Sequence, residues 1–544
     1  MENGSALPSL KKTPGKRISF RFGEFYTAHR PEIWAAAVIL LGVLFRVIRF
    51  GTLPAGVNQD EAYSAYEAYA LGNFGVDSFG HHNPVYLTVW GSGMSALQSY
   101  LALPFIKLFG LSVYTIRIPA LVCGCLSLPA FYFLLRALFP EKRIAVLGTL
   151  ILAVSPWHVM LSRWGLDANL APAFLLFGTL FFVKGLKKGW MLILSGIAFG
   201  LTLYCYAIAW LAVPLTLLFF ALYLVIARQK VSLKYSLIGG GALALLALPL
   251  FLFLLVNKGV IEPIETSFFS IPRLVDMRDS EIVFKNLVDG KAWYELLSLI
   301  VEGKDNIFQN TTEYGLFYQC TLPFMAIGFG KGCYDFVRTF RLKKAQGAAW
   351  VFLATLAAFL TCLTVSTKNI NRTNVLHINT LLAAVIGIRE VFVMLRSHPA
   401  FPRAFAAIYL CLAISFAGFY FGTYNDGNIR FYFNADPVDA LTYVKENDLQ
   451  DVYVDDQICY SIILFCDKTD PNEFKETVVY NNYPSAFLNV RSFTKFTVGR
   501  SDLPEVLGEH ETYVIRTYYA YQNLDRGKYD LVPFGNYTVA VKKH

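Results

Sequence analysis

The segment 58–69, NQDEAYSAYEAY, contains two adjacent carboxylates in a pattern that could support acid–base chemistry. Asn58 is a favourable N-cap residue, and Glu61 lies three positions later, where a capping box places an acid, so the segment predicts a helix start. Asp60 and Glu61 then lie in the first turn, where the helix dipole and free N–H groups favour ionised carboxylates. Tyr63 begins a tyrosine stripe along the same helix. Taken alone, the segment is typical of a capped amphipathic helix on a membrane surface.

A second set of residues combines cations, histidines and one further acid, and its members are His81, His82, Arg163, Asp167, Lys368 and Arg372. Carboxylates suit proton transfer and cations suit an anionic group. Each residue also has a simpler interpretation. Arg163 and Asp167 could form a helix-end ion pair, His82 could be an ordinary loop residue, and Lys368 and Arg372 could meet lipid head groups.

The composition predicts a polytopic α-helical membrane protein that positions these residues. Of the 544 residues, 55% are hydrophobic and 16% are charged, and the mean hydropathy is +0.45. A soluble chain carries about 25% charged residues. The net charge of +9 comes from Lys and Arg in short loops between apolar runs, which is the positive-inside pattern and does not indicate a nucleic acid partner. Residues 1–32 are basic, lack a signal-peptide cleavage pattern and predict a cytoplasmic tail.

The apolar runs predict about eleven transmembrane helices within residues 33–422. The run 85–109 is diluted by serines, a glutamine and a proline. We expect an interfacial or re-entrant segment there, because a crossing would place every later basic loop outside. Segments 51–113 and 257–315 become outer loops, and amphipathic helices are expected in the first. The predicted spans lie at about 33–50, 114–138, 144–160, 170–183, 191–206, 210–227, 237–256, 316–337, 348–365, 375–395 and 404–421.

The composition becomes soluble in residues 423–544 and predicts a small extracytoplasmic α/β domain. Segments 452–456, 512–517 and 537–542 have strand patterns, and 437–447 has a helix pattern. The domain has no GxGxxG sequence. Cys459 and Cys466 could pair in an oxidising compartment, and the nine cysteines of the chain show no paired CxxC zinc spacing.

Four segments carry a family resemblance: NQDEAYSAYEAYAL, the block NPVYLTVW to LPFIKLFGLSVYTIRIPALVCGCLSLPAFYFLLRALF, SPWHVMLSRWGLDANLAPAFLLF, and NINRTNVLHINTLLAAVIGI. In their order across about residues 33–390, they resemble the GT-C class of membrane glycosyltransferases. The nearest branches are the protein O-mannosyltransferases and the ArnT-like aminoarabinose transferases. The resemblance implies an enzyme that moves a sugar from a polyprenyl-phosphate donor to a hydroxyl of a lipid, glycan or protein. It places this reaction on the outer face of the cytoplasmic membrane, for cell-envelope or protein glycosylation.

The resemblance also implies roles for individual residues. Asp60 would accept the proton of the acceptor hydroxyl, with Glu61 orienting or capping it, and Asp167 would orient a sugar hydroxyl or Arg163. No cofactor is expected, although Asp60 and Glu61 could contribute to a divalent cation site. The residues expected to bind the donor, chiefly through its phosphate, are His82, Arg163, Asp167, Lys368, Arg372 and Tyr63.

The sequence departs from the family patterns at two positions. His82-Asn83-Pro84 stands where one branch has a lysine before the proline, and Ser64 stands where some relatives have a tyrosine. Both differences indicate a different sugar or acceptor. The WWD-type signature of oligosaccharyltransferases is also missing, which argues against transfer of a whole glycan to asparagine.

A membrane transporter or flippase, and a non-catalytic scaffold for envelope assembly, are the competing interpretations. Transporters often have internal repeats and charges at the membrane midplane. This sequence has no internal repeat, and its unexplained charges gather on one face, which favours an enzyme. A scaffold would keep its function after Asp60→Asn.

Overall fold

The computed structural model describes residues 22–278, 281–303, 311, 313–398, 400–426, 429–502 and 508–543. Residues 1–21, most of the predicted cytoplasmic tail, lie outside the described residues, as do parts of the predicted outer loop 257–315. Residues 22–32, the end of the predicted tail, belong to the first helix, which begins at Phe22.

Most of residues 22–426 is helical. In chain order the elements are α1 (Phe22–Val47), α2 (Gln59–Phe74), α3 (Leu97–Phe109), α4 (Val113–Leu138), α5 (Lys142–Ala153), α6 (Pro156–Leu161), α7 (Ala171–Gly185), α8 (Met191–Thr202), α9 (Ala209–Ile226), α10 (Leu233–Asn257), β1 (Ile264–Glu265), β2 (Ser270–Ile271), α11 (Gly290–Glu302), α12 (Leu322–Leu342), α13 (Gly347–Leu363), α14 (Ile370–Met394) and α15 (Phe401–Gly422).

The described residues contain six segments long and apolar enough to cross a membrane: α4, α7 with the 3₁₀ turn before it, α9, α10, α14 and α15. Each of the predicted spans overlaps a helix of the structure. The multi-pass helical fold is therefore confirmed, while the number of crossings stays a prediction. The run 85–109 contains the short helix α3, whose 13 residues extend for about 20 Å, too little to cross the hydrocarbon core.

The predicted span 144–160 is broken into α5 and α6. Ser155 has an extended backbone, with φ −65° and ψ 123°, and Pro156 opens the second helix. A residue before proline is driven out of the helical region by the proline ring, and proline itself is favoured in a first helical turn. The prediction of one continuous helix over 144–160 is therefore wrong. Apolar residues continue across the break, so hydropathy alone does not reveal it.

The chain after α15 forms an α/β domain, as predicted. Its elements are α16 (Ile429–Tyr432), α17 (Ala435–Glu446), β3 (Val452–Asp455), α18 (Tyr460–Asp467), α19 (Pro471–Thr477), β4 (Val479–Tyr480), β5 (Val490–Phe493), β6 (Phe496–Gly499), β7 (Thr512–Arg516), α20 (Thr517–Asn523), β8 (Tyr529–Phe534) and β9 (Tyr537–Lys542). The sheet order is β4-β5-β6-β3-β7-β9-β8. The central strand β3 runs parallel to both β6 and β7, and the other neighbours are antiparallel.

Helix α2 joins this domain to the rest of the protein. The predicted cap is present: the Asn58 side chain accepts from the N–H of Asp60 (3.0 Å), and the Glu61 carboxylate accepts from the N–H of Asn58 (3.4 Å). Most of α2 is buried, and it packs against α3 and α18. The interpretation as a helix on the membrane surface is therefore wrong, since the tyrosine stripe faces protein. Tyr66, for example, is fully buried and donates to the carbonyl of Thr469.

The apolar core of α2 and α3 is continuous with the core of the C-terminal domain. Ala62 and Ala102, from the predicted first outer loop, share one cluster of buried side chains with Ile462 and Val514 of the domain. The hydroxyl of Ser461 also donates to the carbonyl of Gln59, at the start of α2. The predicted first outer loop and the C-terminal domain therefore share one hydrophobic core.

A buried acidic pair fixes α2 to the segment that follows it. The Glu67 carboxylate accepts from the N–H of Ser78 (3.0 Å) and from its hydroxyl. Asp77 accepts from the N–H of His81 (2.8 Å) and from the hydroxyl of Thr88 (3.3 Å). Burial, and after it the negative charge of Asp77, raises the pKa of Glu67 to about 8. Glu67 therefore keeps its proton at neutral pH in the folded protein.

Replacing Glu67 by Gln should remove part of the pH dependence of stability. The folded pKa is above the ordinary value of 4.5. The protonated carboxyl thus stabilises the fold fully below pH 4.5, and this contribution is lost as the pH rises toward 8. Between these limits the midpoint of thermal unfolding of the parent protein should fall relative to that of Glu67→Gln. Glu446→Gln, at an exposed helix end, should follow the parent. Parallel curves for parent and Glu67→Gln would contradict the assignment.

Candidate active site

A cavity of about 1380 Å³ lies between the membrane helices and the C-terminal domain. Its walls come from the ends of α9, α10 and α14, from the segment before α3, from the loop after α10, and from the ends of β3 and β6. The part of the wall at the start of α9 and the end of α10 is apolar and includes Leu211, Phe253 and Leu254. The charged side chains that line the cavity are Asp60, Asp167, Lys258, Arg278, Glu281, Arg372, Asp456, Arg491 and Arg500.

Asp60 lies in the wall of this cavity and accepts a hydrogen bond from Nε1 of Trp90 (3.2 Å). Burial raises the pKa of Asp60, while the Trp90 hydrogen bond and the positive charge of Arg278 act in the opposite direction. Trp90 has φ +64°, which is strained for a bulky residue and is typical of functional sites. Its ring packs edge-on against Tyr63 and Tyr460, at centroid distances of 5.3 and 5.4 Å. The donor to Asp60 is therefore held in place.

Asp167, the second predicted acid, also lines the cavity, and its Oδ1 accepts from the N–H of Ala168 (2.7 Å). Tyr206 lines the same cavity, so that a phenol, two carboxylates and two guanidinium groups face one space, those of Tyr206, Asp60, Asp167, Arg278 and Arg372.

Arg372 reaches the cavity together with its counterion. Its Nη1 and Nη2 donate to the two carboxylate oxygens of Glu281, at 2.5 and 3.0 Å, and Ser366 donates to the same carboxylate (2.8 Å). Burial raises the pKa of Glu281, but the Ser366 hydrogen bond and the charge of Arg372 outweigh it, so the pKa is lowered. Glu281 is therefore ionised, and the pair is a bidentate ion pair of the kind that orients a guanidinium group.

Glu61 faces the protein interior and not the cavity. Its carboxylate accepts from Nε of Arg117 (2.7 Å) and Nη2 of Arg117 (3.0 Å), and both side chains are fully buried. It also accepts from the N–H of Gly165 (2.8 Å). A Cβ at Gly165 would lie 2.8 Å from the carbonyl oxygen of Ile116 and 3.1 Å from Glu61, so only glycine permits this contact. The predicted capping role fits this geometry, and a role in contact with substrate does not.

Arg163 is also structural. Its guanidinium is buried and donates to the carbonyls of Arg46 and Arg49, both at 2.8 Å, and it lies over the rings of Tyr420 and Phe421. The structure therefore supports neither the predicted phosphate contact nor the alternative ion pair with Asp167. Arg163 instead caps the C-terminal end of α1 by donating to backbone carbonyls that have no intrahelical partner.

Three further predicted donor-binding residues are engaged elsewhere. Nδ1 of His82 is 2.9 Å from the carbonyl of Gly75, and Lys368 donates to the carbonyl of Val365 (2.8 Å) with 3% of its side chain exposed. Tyr63 is buried against Tyr460, whose hydroxyl donates to it (3.2 Å). The described lining of the cavity thus includes Asp60, Asp167 and Arg372 from the predicted set, and not these three residues.

Sequence reasoning missed Trp90, Tyr206, Arg278 and Glu281. Arg278 stacks on Phe487 of the C-terminal domain, 5.0 Å from the ring centroid, a contact between residues more than 200 positions apart. The Trp-Gly-Ser-Gly segment at 90–93 was the available signal, because glycine on both sides of a serine indicates a special backbone path. Gly91 and Gly93 do have φ of +93° and +85°. Nothing in the local sequence distinguishes Arg278 from other loop arginines.

No group of three or more His, Cys, Asp or Glu side chains that could hold a metal ion occurs among the described residues. Asp60 and Glu61 point to different places, so they do not form the joint divalent cation site considered above. Cys459 and Cys466 are free thiols in the structure.

With this geometry established, comparison with known proteins defines the fold class. The family model for dolichyl-phosphate-mannose-protein mannosyltransferases matches residues 96–254. The structure of ArnT from Cupriavidus metallidurans in the apo state has 12% sequence identity, with 94% of this chain and 98% of that chain covered and a TM-score of 0.54. The chain therefore has the fold of the GT-C class of membrane glycosyltransferases, as the resemblance predicts.

Two other solved structures give the same fold. ArnT from Cupriavidus metallidurans bound to undecaprenyl phosphate has 12% identity, 94% and 97% coverage of the two chains, and a TM-score of 0.54. The oligosaccharyltransferase of Archaeoglobus fulgidus tethered with an acceptor peptide has 14% identity, 82% coverage of this chain and a TM-score of 0.51. The chain spans 64% of the length of that archaeal protein. No curated protein sequence matches the chain.

Arg117→Met should destabilise the protein strongly, because it leaves Glu61 buried without its cation. Breaking a buried pair in this way costs about 3–5 kcal/mol. The free energy of unfolding in detergent, followed by tryptophan fluorescence, should fall by about that amount. Lys142→Met breaks an ion pair with Glu32 in which each side chain is nearly half exposed, and should cost less than about 1 kcal/mol. Equal effects of the two variants would show that the buried pair is not a main stabilising contact.

Proposed function

We propose that the protein is a glycosyltransferase that moves a hexose or pentose from a polyprenyl-phosphate donor to an acceptor hydroxyl. One observation carries this proposal: the carboxylate of Asp60 shares a cavity with the guanidinium groups of Arg278 and Arg372. A base beside two cations suits a reaction in which a hydroxyl loses a proton and a phosphate leaves. The GT-C fold supports the same class of reaction.

The donor fits the part of the cavity at the ends of α9 and α10. Leu211, Phe253 and Leu254 line it there and offer an apolar path for a prenyl chain. Arg278 and Arg372 line the same cavity and would bind the phosphate, Arg372 by sharing or exchanging its contact with Glu281. The similarly folded ArnT of Cupriavidus metallidurans has been solved with undecaprenyl phosphate, which supports a lipid phosphate as the donor carrier.

In the proposed step, the oxygen of the acceptor hydroxyl attacks C1 of the donor sugar. The bond from C1 to the phosphate oxygen breaks, and its electron pair leaves with the polyprenyl phosphate, whose charge the arginines stabilise. The hydroxyl proton passes to the carboxylate of Asp60 as the new bond forms, and the configuration at C1 inverts. Burial makes Asp60 a stronger base, while the nearby Arg278 favours its ionised form.

Asp167 and Glu61 have different supporting roles in this proposal. Asp167 lines the cavity beside Tyr206 and would orient a hydroxyl of the donor sugar. Glu61 acts through the backbone, because its contacts with Arg117 and Gly165 hold the first turn of α2. Neither role calls for a cofactor. The acceptor would reach the cavity from the side of the C-terminal domain, which we place outside the cytoplasmic membrane in accordance with the positive-inside pattern.

Asp60→Asn should abolish sugar transfer by the purified protein in detergent. Loss of a general base costs about 100-fold or more in rate, and the amide remains able to accept from Trp90, so folding should be retained. Asp448→Asn is a matched control, because Asp448 is exposed and has φ +48°, which asparagine adopts equally well. Transfer by Asp60→Asn at the parental rate would refute Asp60 as the base, whereas no transfer by the parent protein would favour a scaffold or a flippase.

The pH profile should reveal the charge of Arg278. The base must be ionised, so kcat/KM should rise with pH through the pKa of Asp60. Because Arg278 lowers that pKa, Arg278→Gln should move the acidic limb of the profile to higher pH, whereas Arg278→Lys should move it less. A limb that does not move in Arg278→Gln would show that Asp60 is not the group that titrates.

A further inference from the structure

The upper wall of the cavity is formed by the ends of two parallel strands. Asp456 and Gln457 directly follow β3, and Gly499 and Arg500 lie at the end of β6. The N–H of Asp456 donates to the carbonyl of Gly499 (2.8 Å), which fixes the two ends side by side. In α/β sheets, ligands bind outside the carboxyl ends of parallel strands, where neighbouring connections diverge. Here β3 lies between β6 and β7, so its carboxyl end is such a point, and it opens into the cavity.

The connection from β4 to β5 and the start of β5 add three more polar side chains to this wall. The N–H of Asn481 donates to the carbonyl of Asn489 (2.8 Å), so the backbones of these residues are paired with each other. Their amide side chains line the cavity and have no hydrogen-bond partner within the described part of the chain. Arg491 also lines the cavity, and it has no acidic partner among the described residues. We call the set Asp456, Gln457, Asn481, Asn489, Arg491 and Arg500 the upper rim.

Aromatic rings border the same region. Phe487, with 54% of its surface exposed, carries Arg278 on one face, and Trp90 and Tyr460 lie next to it in the cavity wall. The hydroxyl of Ser92, also in the wall and 5% exposed, has no hydrogen-bond partner among the described residues. Planar amides, carboxylates and guanidinium groups can each make paired hydrogen bonds to vicinal hydroxyls, and aromatic rings cover the apolar faces of sugar rings.

The geometry is unfavourable for a peptide acceptor. Extended peptides are commonly bound by adding a strand to a free sheet edge through backbone hydrogen bonds. The edge strands of this sheet are β4 and β8. Asp456, Gln457 and Arg500 of the wall lie at the ends of the interior strands β3 and β6, and Asn481, which follows the two-residue edge strand β4, already pairs its N–H with the carbonyl of Asn489. The wall thus presents side chains, and selects its ligand by hydroxyl and amide chemistry.

We propose that the acceptor is a saccharide whose hydroxyl groups are bound by the upper rim, so that one of them reaches Asp60. This proposal rests on the proposed glycosyltransferase function and specifies its acceptor. The upper rim is a binding surface for the acceptor, and it includes none of Asp60, Arg278 and Arg372, the residues assigned to the reacting groups. Changes in the rim should therefore act mainly on acceptor binding.

The test compares two glutamines at opposite ends of β3. Gln457 follows the strand and lines the cavity, while Gln450 precedes it, is exposed, and donates its side-chain hydrogen bonds to Asp448. The full chain in detergent is applied to an array of immobilised oligosaccharides and to an array of serine- and threonine-containing peptides. Binding to a set of oligosaccharides is expected for the parent and for Gln450→Ala, and should fall at least tenfold in the double variant Gln457→Ala/Asn489→Ala.

A kinetic measurement uses the oligosaccharide that binds best. The double variant should raise the acceptor KM at least tenfold, whereas Gln450→Ala should leave the acceptor KM, and the hydrolysis of the polyprenyl-phosphate sugar in the absence of acceptor, within twofold of the parental values. Binding to peptides only, binding to neither array, or equal saccharide binding by parent and double variant would overturn the saccharide assignment. If saccharides bind and the double variant loses them, but the parent neither transfers nor hydrolyses the donor sugar, the glycosyltransferase proposal fails and the saccharide site remains.

Discussion

The buried ion pair between Glu61 and Arg117 is the contact on which the rest of the site depends. Two charges without water are stable only when every oxygen and N–H is satisfied, and here the carboxylate also receives the N–H of Gly165. The remaining N–H groups of Arg117 bind the carbonyls of Pro54 (2.8 Å) and Gly56 (2.9 Å). One guanidinium thus joins α4, the connection from α1 and the first turn of α2.

This pair determines where Asp60 points. Successive residues of a helix are about 100° apart around the axis, so a helix that turns Glu61 inward must direct Asp60 to another side. In this structure that side is the cavity. The two adjacent acids therefore have different roles. Glu61 is paired with Arg117 in the interior and holds the helix, whereas Asp60 lies at the cavity wall, where burial, Trp90 and Arg278 adjust its pKa.

The C-terminal domain is part of the site as well as its cover. Its core continues into α2 and α3, and the ends of β3 and β6 form a wall of the cavity opposite the membrane helices. This arrangement separates two chemical surroundings within one cavity. The apolar wall and the arginines near α9, α10 and α14 suit a lipid phosphate, whereas the amides and carboxylates of the domain suit a ligand rich in hydroxyl groups.

The sequence by itself determined the multi-pass helical fold, the cap of α2 and the α/β character of residues 423–544. It also grouped Asp60, Asp167 and Arg372, which do share the cavity, with His82, Arg163 and Lys368, which do not line it. These features follow from local patterns: apolar runs, basic loops, a capping box and alternating strand residues. The tertiary structure alone decided which charges reach the cavity. Arg163, Lys368 and His82 are as polar in sequence as Arg278, yet backbone carbonyls of distant or neighbouring turns bind the first three. A charged side chain forms hydrogen bonds with the groups that tertiary packing brings within about 3 Å. The residues next to it in the sequence do not identify those groups.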